Sequence, residues 1–322
     1  MVLFVTSPTP NHPPVPNSEP VRREDVTLQR IAAILGSGSP APGEVFIGDD
    51  AAVLSPAVAS LVVSTDVAVA GVHLDLDLFT PSDLGFKAVM SAVSDVAAMG
   101  GVIRYLLIAV TAPAGSDLDA LHQGISEAAH DVGASVVGGD LSTGPALQVA
   151  VTVIGEAPAS GALLRSGAAA GDFLFVTGPL GRAAAGLRRR REGVDASDEL
   201  VRAQSRPVAR LAQGMAAARA GVSAAMDLSD GVAIDLHRLA DASSVGFELT
   251  HLPVATGASE REALSGGEDY ELLIATSDPE ALRREFEISQ LPAPVEIGRV
   301  IDEGQRTLNG RALPREGWQH EF

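Results

Sequence analysis

Apolar positions along the chain switch repeatedly between two periods. From Arg22 onward, segments with apolar residues every third or fourth position, the spacing of an amphipathic helix, exchange with short apolar runs bounded by glycine or aspartate, the signature of strands. "DVTLQRIAAIL" (25–35) reads as a helix, "SLVVSTDVAV" (60–69) as a strand, and "PSDLGFKAVMSAVSDVAAMG" (81–100) as a helix with Pro81 in its first turn and Gly100 at its stop. A strand at 103–113, a Ser- or Asp-capped helix at 116–133, and strands at 134–140 and 147–156 complete a mixed α/β first half. The Gly-, Ala- and Ser-rich stretch "APASGALLRSGAAAGD" (157–172) then interrupts the pattern and marks a domain boundary. The second half restarts with strand, glycine turn and helix over 173–191. A helix at 207–220, the strand and turn "AAMDLSDG" (224–231), a helix at 232–242 and strands at 269–276 and 295–300 follow. The expected fold class is α/β (mixed α+β) in two domains, 22–157 and 158–322, behind a Pro-rich tail at 1–21. No short-period repeat is present, which excludes solenoids and propellers.

Composition sharpens this picture. A chain of 322 residues, 46% hydrophobic, can bury a sizeable core, and its balance is acidic, 41 Asp plus Glu against 23 Lys plus Arg for a net charge of -18. Nonspecific affinity for nucleic acid or an anionic membrane is excluded by that charge, so a phosphorylated ligand would need a cation to accompany it. The absence of cysteine removes disulfides, thiolate catalysis and thiolate metal sites, and is compatible with a reducing cytoplasm. No apolar run approaches the ~20 residues of a membrane span, and the opening "VLFV" lacks the length and basic leader of a signal peptide.

Carboxylates recur beside apolar runs. "EVFIGDDAAVL" places Asp49 and Asp50 directly after Val45, Phe46, Ile47 and Gly48; Asp66 ends "LVVSTD", Asp140 ends "ASVVGGD", "AAMDLSDG" supplies Asp227 and Asp230, and "LSGGEDYELL" supplies Glu268 and Asp269. Taken singly, each reads as a turn or cap, and Asp230 stands where a helix N-terminus would want it. Asp95 departs from that reading. It continues the row Leu84, Ala88, Ser91, Asp95, Met99 along one small or apolar helix face, so it is either solvated at the edge of the stripe or buried and in need of a positive partner; with no cation in reach along the helix, a bound ion is the expected partner. Hard oxygen donors without His or Cys clusters favour Mg²⁺, which usually shares its shell with phosphate. A P-loop and the protein-kinase plan are both excluded, since Lys87 is the only lysine and stands inside a helix. "GPLGRAAAGL" (178–187) reads as a tight turn with packing glycines, with phosphate contact as the second reading, and "RRRR" (188–191) as the solvated end of its helix.

"IGDDAAV", "VVSTDVAVAGVHL", "DLGFKAVMSAVSDVAAMG", "VVGGDLSTGP", "LLRSGAAAGD", "AMDLSDGVAIDL" and "LSGGEDYEL", in that order, resemble the thiamine-monophosphate kinase family, within the superfamily of aminoimidazole ribonucleotide synthetase. The resemblance covers about residue 25 to 322. It implies a homodimer of two-domain subunits, an N-terminal mixed-sheet domain that dimerises and a C-terminal α/β domain, with ATP as co-substrate and several Mg²⁺ ions in a cleft. It implies transfer of the ATP γ-phosphoryl group to thiamine monophosphate, giving thiamine diphosphate and ADP. Carried over by position, the metal ligands are Asp50, Ser64, Thr65, Asp66, Asp95, Asp140, Asp227 and Asp230. The ATP contacts are Gly139, Asp140, Arg165 and Ser229, and the substrate contacts are His73, Glu268 and Trp318. Asp50, Asp95, Asp230 and Arg165 would carry catalysis, Arg165 as a polyphosphate or transition-state clamp. Trp318 would stack on the cationic thiazolium or the pyrimidine, and its alternative is a tail residue sealing the core. Within the superfamily, selenophosphate synthetase and the hydrogenase-maturation dehydratase need a cysteine or selenocysteine that is absent here. An aminoimidazole ribonucleotide synthetase-like enzyme, or a noncatalytic Mg-nucleotide sensor, stays as the alternative.

Overall fold

A computed structural model describes residues 30–36, 60–302 and 304–319. The "IGDDAAV" segment with Asp49 and Asp50, the tail at 1–21, and all but the end of the helix expected at 25–35 lie outside the described residues. Residues 30–35 are helical (α1). The described chain forms two compact units, one of residues 30–36, 65–89 and 104–152, the other of 60–64, 90–103, 153–302 and 304–319.

The first half runs β1 (Leu61–Val69), α2 (Pro81–Ala98), β2 (Val102–Ala112), α3 (Leu118–Asp131), β3 (Ser135–Thr143) and β4 (Gln148–Glu156). These strands make one four-stranded sheet in the order β1-β4-β2-β3, with β2 and β3 parallel. Strand β4 shows why the sequence folds this way: alternate residues Val149, Val151 and Val153 are fully buried while their neighbours face outward. Helices α2 and α3 cross at glycines. A Cβ on Gly85 would stand 2.2 Å from the Leu121 carbonyl oxygen, and one on Gly124 1.8 Å from that of Ser82, so no larger residue permits the approach.

The second half runs β5 (Phe173–Val176), α4 (Arg182–Arg191), α5 (Glu199–Ser205), α6 (Leu211–Ala220), β6 (Ala224–Asp227), α7 (Val232–Ser243), β7 (Gly246–Leu249), α8 (Glu260–Ser265), β8 (Leu272–Thr276), α9 (Pro279–Ile288), β9 (Val295–Ile301), β10 (Arg306–Leu308) and β11 (Arg311–Ala312). Its seven strands form a sheet in the order β11-β10-β7-β9-β5-β8-β6. The period of two decides which cover each residue meets. Leu174, Val176, Met226 and Leu273 face Leu236 and Leu239 of α7, while Phe175, Ala225, Leu272 and Ile274 face Ala216 and Ala217 of α6 and Leu282 and Phe286 of α9. A sheet covered on both faces needs near-continuous apolar strands, and "FLFV" and "LLIAT" are such strands.

The helix expected at 207–220 begins only at Leu211, because Pro207 separates it from the unanticipated α5. Asp66 lies inside β1, within the strand expected at 60–69, whereas Asp140, expected as the last residue of its strand, lies inside β3 because pairing with β2 continues to Thr143. The four arginines that end α4 are not simply solvated. Arg188 pairs with Glu262 at 2.8 Å and Arg189 with Asp198 at 2.6 Å.

Candidate active site

Strand β6 is buried throughout and ends in Asp227, so its pleat delivers a carboxylate into the protein rather than into water. The Ser94 hydroxyl of α2 donates to that carboxylate at 2.7 Å. The next residue on the helix, Asp95, accepts from the Ser64 hydroxyl of β1. Asp95 therefore has a hydroxyl partner as well as an acidic neighbour. Burial, and then repulsion from Asp95, pushes the Asp227 carboxyl up to about 7, with the Ser94 hydrogen bond and the Arg165 charge opposing the rise. Arg165 sits on an exposed segment beside β6, where the Leu164 carbonyl accepts from Ala225 N–H at 2.8 Å.

Beyond Asp227 the chain turns through Leu228 and Ser229 into α7. Asp230 does not cap that helix. Its carboxylate pairs with Arg238 Nη1 at 2.5 Å, while Asp235, from the first turn, accepts the backbone N–H groups of Asp230 and Gly231 at 3.0 and 3.1 Å. The Asp235 side chain is fully buried and also pairs with Arg238 at 2.6 Å; burial raises its carboxyl to about 6. The "GGED" loop lies against this turn. Glu268 N–H donates to the Ser229 carbonyl at 2.7 Å, Tyr270 N–H to that of Leu228 at 3.0 Å, and a Cβ on Gly267 would stand 2.7 Å from the Ser229 oxygen. Glu268 holds a left-handed φ of 70° with its carboxylate fixed by Gln204 Nε2 at 2.9 Å. Trp318 N–H donates to the Asp230 carbonyl at 2.9 Å, and its side chain is 49% exposed, so it does not seal the core. One unit thus brings together Ser64, Asp95, Arg165, Asp227, Ser229, Asp230, Glu268 and Trp318.

The other unit carries Thr65, Asp66, His73, Gly139 and Asp140. β1 and β3 are the two outer strands of their sheet, roughly 14 Å apart at ~4.8 Å per strand, so Asp66 and Asp140 do not touch. The Thr65 hydroxyl meets that of Thr152 at 3.2 Å, and Asp140 accepts from Ser142 Oγ at 3.0 Å. Gly139 is required by contact: its Cβ would stand 1.7 Å from the Ile108 carbonyl oxygen on β2. His73 accepts from Val69 N–H on Nδ1 at 3.0 Å, which leaves Nε2 as the protonated nitrogen of the neutral ring. The buried Lys87 donates to the His73 carbonyl at 3.0 Å. Among the described residues no group of three His, Asp or Glu forms a ready-made metal cage.

Comparison with known proteins gives this arrangement its context. A model of the AIR synthase related protein N-terminal domain matches residues 48–157, and one of the C-terminal domain matches 169–310. Thiamine-monophosphate kinase of Mycobacterium tuberculosis is 36% identical over 302 residues, 88% of this chain and 90% of that protein. The chain belongs to the thiamine-monophosphate kinase family. The crystal structure of the Stenotrophomonas maltophilia member is similar with a TM-score of 0.78 at 31% identity, covering 88% of this chain and 96% of that one. A structure of AaThiL complexed with AMPPCP and TMP is similar with a TM-score of 0.73 at 29% identity, covering 94% of this chain and all of that one.

Sequence reasoning missed Ser94, Gln204, Asp235 and Arg238. Arg238 had a readable signal, since a cation three residues after Asp235 on a helix lies beside it. Gln204 had none, because only the tertiary fold brings it to Glu268.

Proposed function

We propose that this chain is an ATP-dependent thiamine-monophosphate kinase: an oxygen of the thiamine monophosphate phosphate attacks Pγ of ATP in line, the Pγ–O bond to the β-phosphate breaks, and thiamine diphosphate and ADP leave. What carries the reading is the buried Asp227 beside Asp95, within a chain related over 88% of its length to a thiamine-monophosphate kinase. A buried strand-end carboxylate beside a second carboxylate on the helix α2 is stabilised by a cation, and the all-oxygen donor set suits Mg²⁺.

We assign Mg²⁺ to Asp50, Ser64, Thr65, Asp66, Asp95, Asp140, Asp227 and Asp230. Bound there with phosphate oxygens, it would neutralise the repulsion between two anions, which is the main barrier to this reaction. The protein's own groups hold the parts in place. Ser64 and Ser94 fix the two carboxylates, Gly139 and Ser229 offer backbone and hydroxyl contacts to ATP, and the exposed Arg165 supplies a positive charge for the transferring phosphoryl group. No general base is needed, because a phosphomonoester with a second pKa of about 6 is already mostly dianionic at neutral pH. His73, Glu268 and Trp318 hold thiamine monophosphate, Trp318 by stacking and Glu268 by accepting from an amino group.

We further propose a cytoplasmic homodimer. The outer strand β1 presents Leu61, Val63 and Val67 at 57, 59 and 41% exposure, an apolar row on a sheet edge that a second copy would cover. No described helix is long and apolar enough to cross a membrane. The reading is tested by incubating purified protein with Mg-ATP and thiamine monophosphate. Thiamine diphosphate and ADP should appear one for one, and ADP alone would contradict it.

A further inference from the structure

We propose that a cavity of about 360 Å³ beside the start of α4 is a second anion site, separate from the carboxylate site, that takes the phosphoryl group of a small phosphorylated ligand. Four arginines line it, Arg182 from the first position of α4, Arg202 from α5, and Arg206 and Arg210 from the connection into α6, against the acids Glu199, Asp269 and Glu271. Such a gathering of cations is unusual in a chain of net charge -18, where chance favours acidic surroundings.

Two of the three acids are already engaged by the fold. Asp269 accepts the N–H groups of Gly181 at 2.5 Å and Ala183 at 3.0 Å, the free donors at the start of α4. Glu271, buried, accepts from the Thr177 hydroxyl at 2.5 Å and from both arms of Arg210 at 2.9 and 2.5 Å. Glu199 is exposed to water. Among the described residues the guanidinium groups of Arg182 and Arg202 have no hydrogen-bond or ion-pair partner, although both face the cavity. A planar guanidinium binds phosphate through paired N–H donors, and two of them across one concave space fit a doubly charged tetrahedral anion better than a carboxylate. The cavity lies at the small end of ligand sites, sized for a phosphate ester rather than a nucleotide triphosphate. None of Asp95, Asp227, Asp230 and Trp318 lines it.

The full-length protein, held in EDTA at constant ionic strength, should be titrated calorimetrically with inorganic phosphate and with ribose 5-phosphate. Saturable binding of either at one per chain is expected; tighter binding of the ester identifies an organic ligand, and tighter binding of phosphate identifies the bare anion. Arg182→Gln with Arg202→Gln should weaken it by roughly tenfold or more, the loss of charge-assisted contacts, while kcat and both KM values stay within about twofold of the parent, a change of under ~0.5 kcal/mol. The single Arg202→Gln, at an exposed position, should give a partial loss and guards against misfolding of the double variant. Absence of saturable binding in the parent, or unchanged binding in the double variant, would overturn the proposal. So would a rise in the KM for thiamine monophosphate, which would make the cavity part of the substrate site.

Discussion

Ser94 and Asp227, 133 positions apart in sequence, are joined by a 2.7 Å hydrogen bond from the serine hydroxyl to the buried carboxylate. The helix that carries Asp95 is thereby tied to the strand that ends in Asp227, and the two carboxylates are held close enough for each to feel the other's charge. A hydrogen bond to a charged group is worth ~1.5–3 kcal/mol, so Ser94→Ala should raise the Asp227 carboxyl further, by about one pH unit or more. The acid limb of the kcat/KM profile should move up by that amount, with little change at about pH 10, well above the shifted limb. An unmoved limb would separate Ser94 from the chemistry.

Stability should depend on pH in a direction set by three acids that burial raises. Asp227 and Asp269 titrate at about 7 and Asp235 at about 6 in the folded state, against ~3.9 for an unfolded carboxyl. The folded protein therefore holds these protons more tightly. Their contribution is fully present below about pH 4 and is lost as pH rises through about 7. Asp241, held down at about 2 by Arg315 and Arg306, acts in the opposite sense only below about pH 4, and His122 and His237, held below the usual imidazole value by burial, oppose the carboxyls as pH falls below about 6.5 without outweighing three of them. Without metal, the melting temperature should fall from pH 5 to 7.5. Mg²⁺, if it takes the place of the Asp227 proton as proposed, should raise it more at pH 7.5 than at pH 5.5. Calorimetric melts with and without Mg²⁺ read both trends.

Arg238 neutralises Asp230 and the fully buried Asp235 together. Removing one partner of a buried ion pair costs ~3–5 kcal/mol, but Arg238 is 37% exposed, so Arg238→Gln should cost roughly 1–3 kcal/mol after screening by solvent. Urea denaturation should show a lower midpoint with an unchanged slope. An unchanged midpoint would mean that the pair contributes nothing to stability.

Val63 stands 59% exposed on the outer strand of its sheet. Val63→Asp should leave the fold intact and shift the protein from dimer to monomer in light scattering, because a charge in an apolar strand interface is left without a partner. A parent protein that is already monomeric would contradict the proposed dimer.

The sequence made the longer elements legible because each strand or helix with a buried face carries its own period. Val149, Val151 and Val153 declare β4, and Pro81 and Gly100 bracket α2 almost to the residue. The short strands β7, β10 and β11 and the helices α5, α8 and α9 were harder to see. α9 buries only Leu282 and Phe286, and β10 buries no residue fully, so neighbours decide what they become. The site was legible as a set of carboxylates and not as an arrangement. Asp230 resembled a helix cap, but the tertiary structure gave capping to Asp235 and an arginine to Asp230. Asp95 looked unaccompanied along its helix, and its hydroxyl partner Ser64 comes from another element.

Phosphoryl transfer at the Asp95 and Asp227 site is tested most directly by single-turnover rapid quench with γ-labelled ATP, Mg²⁺ and thiamine monophosphate. The label should enter thiamine diphosphate at the rate at which ADP forms. Asp227→Asn, checked for folding by its melt, should slow that step by roughly a hundredfold or more. Label released as inorganic phosphate, or transfer by Asp227→Asn at near the parental rate, would contradict it.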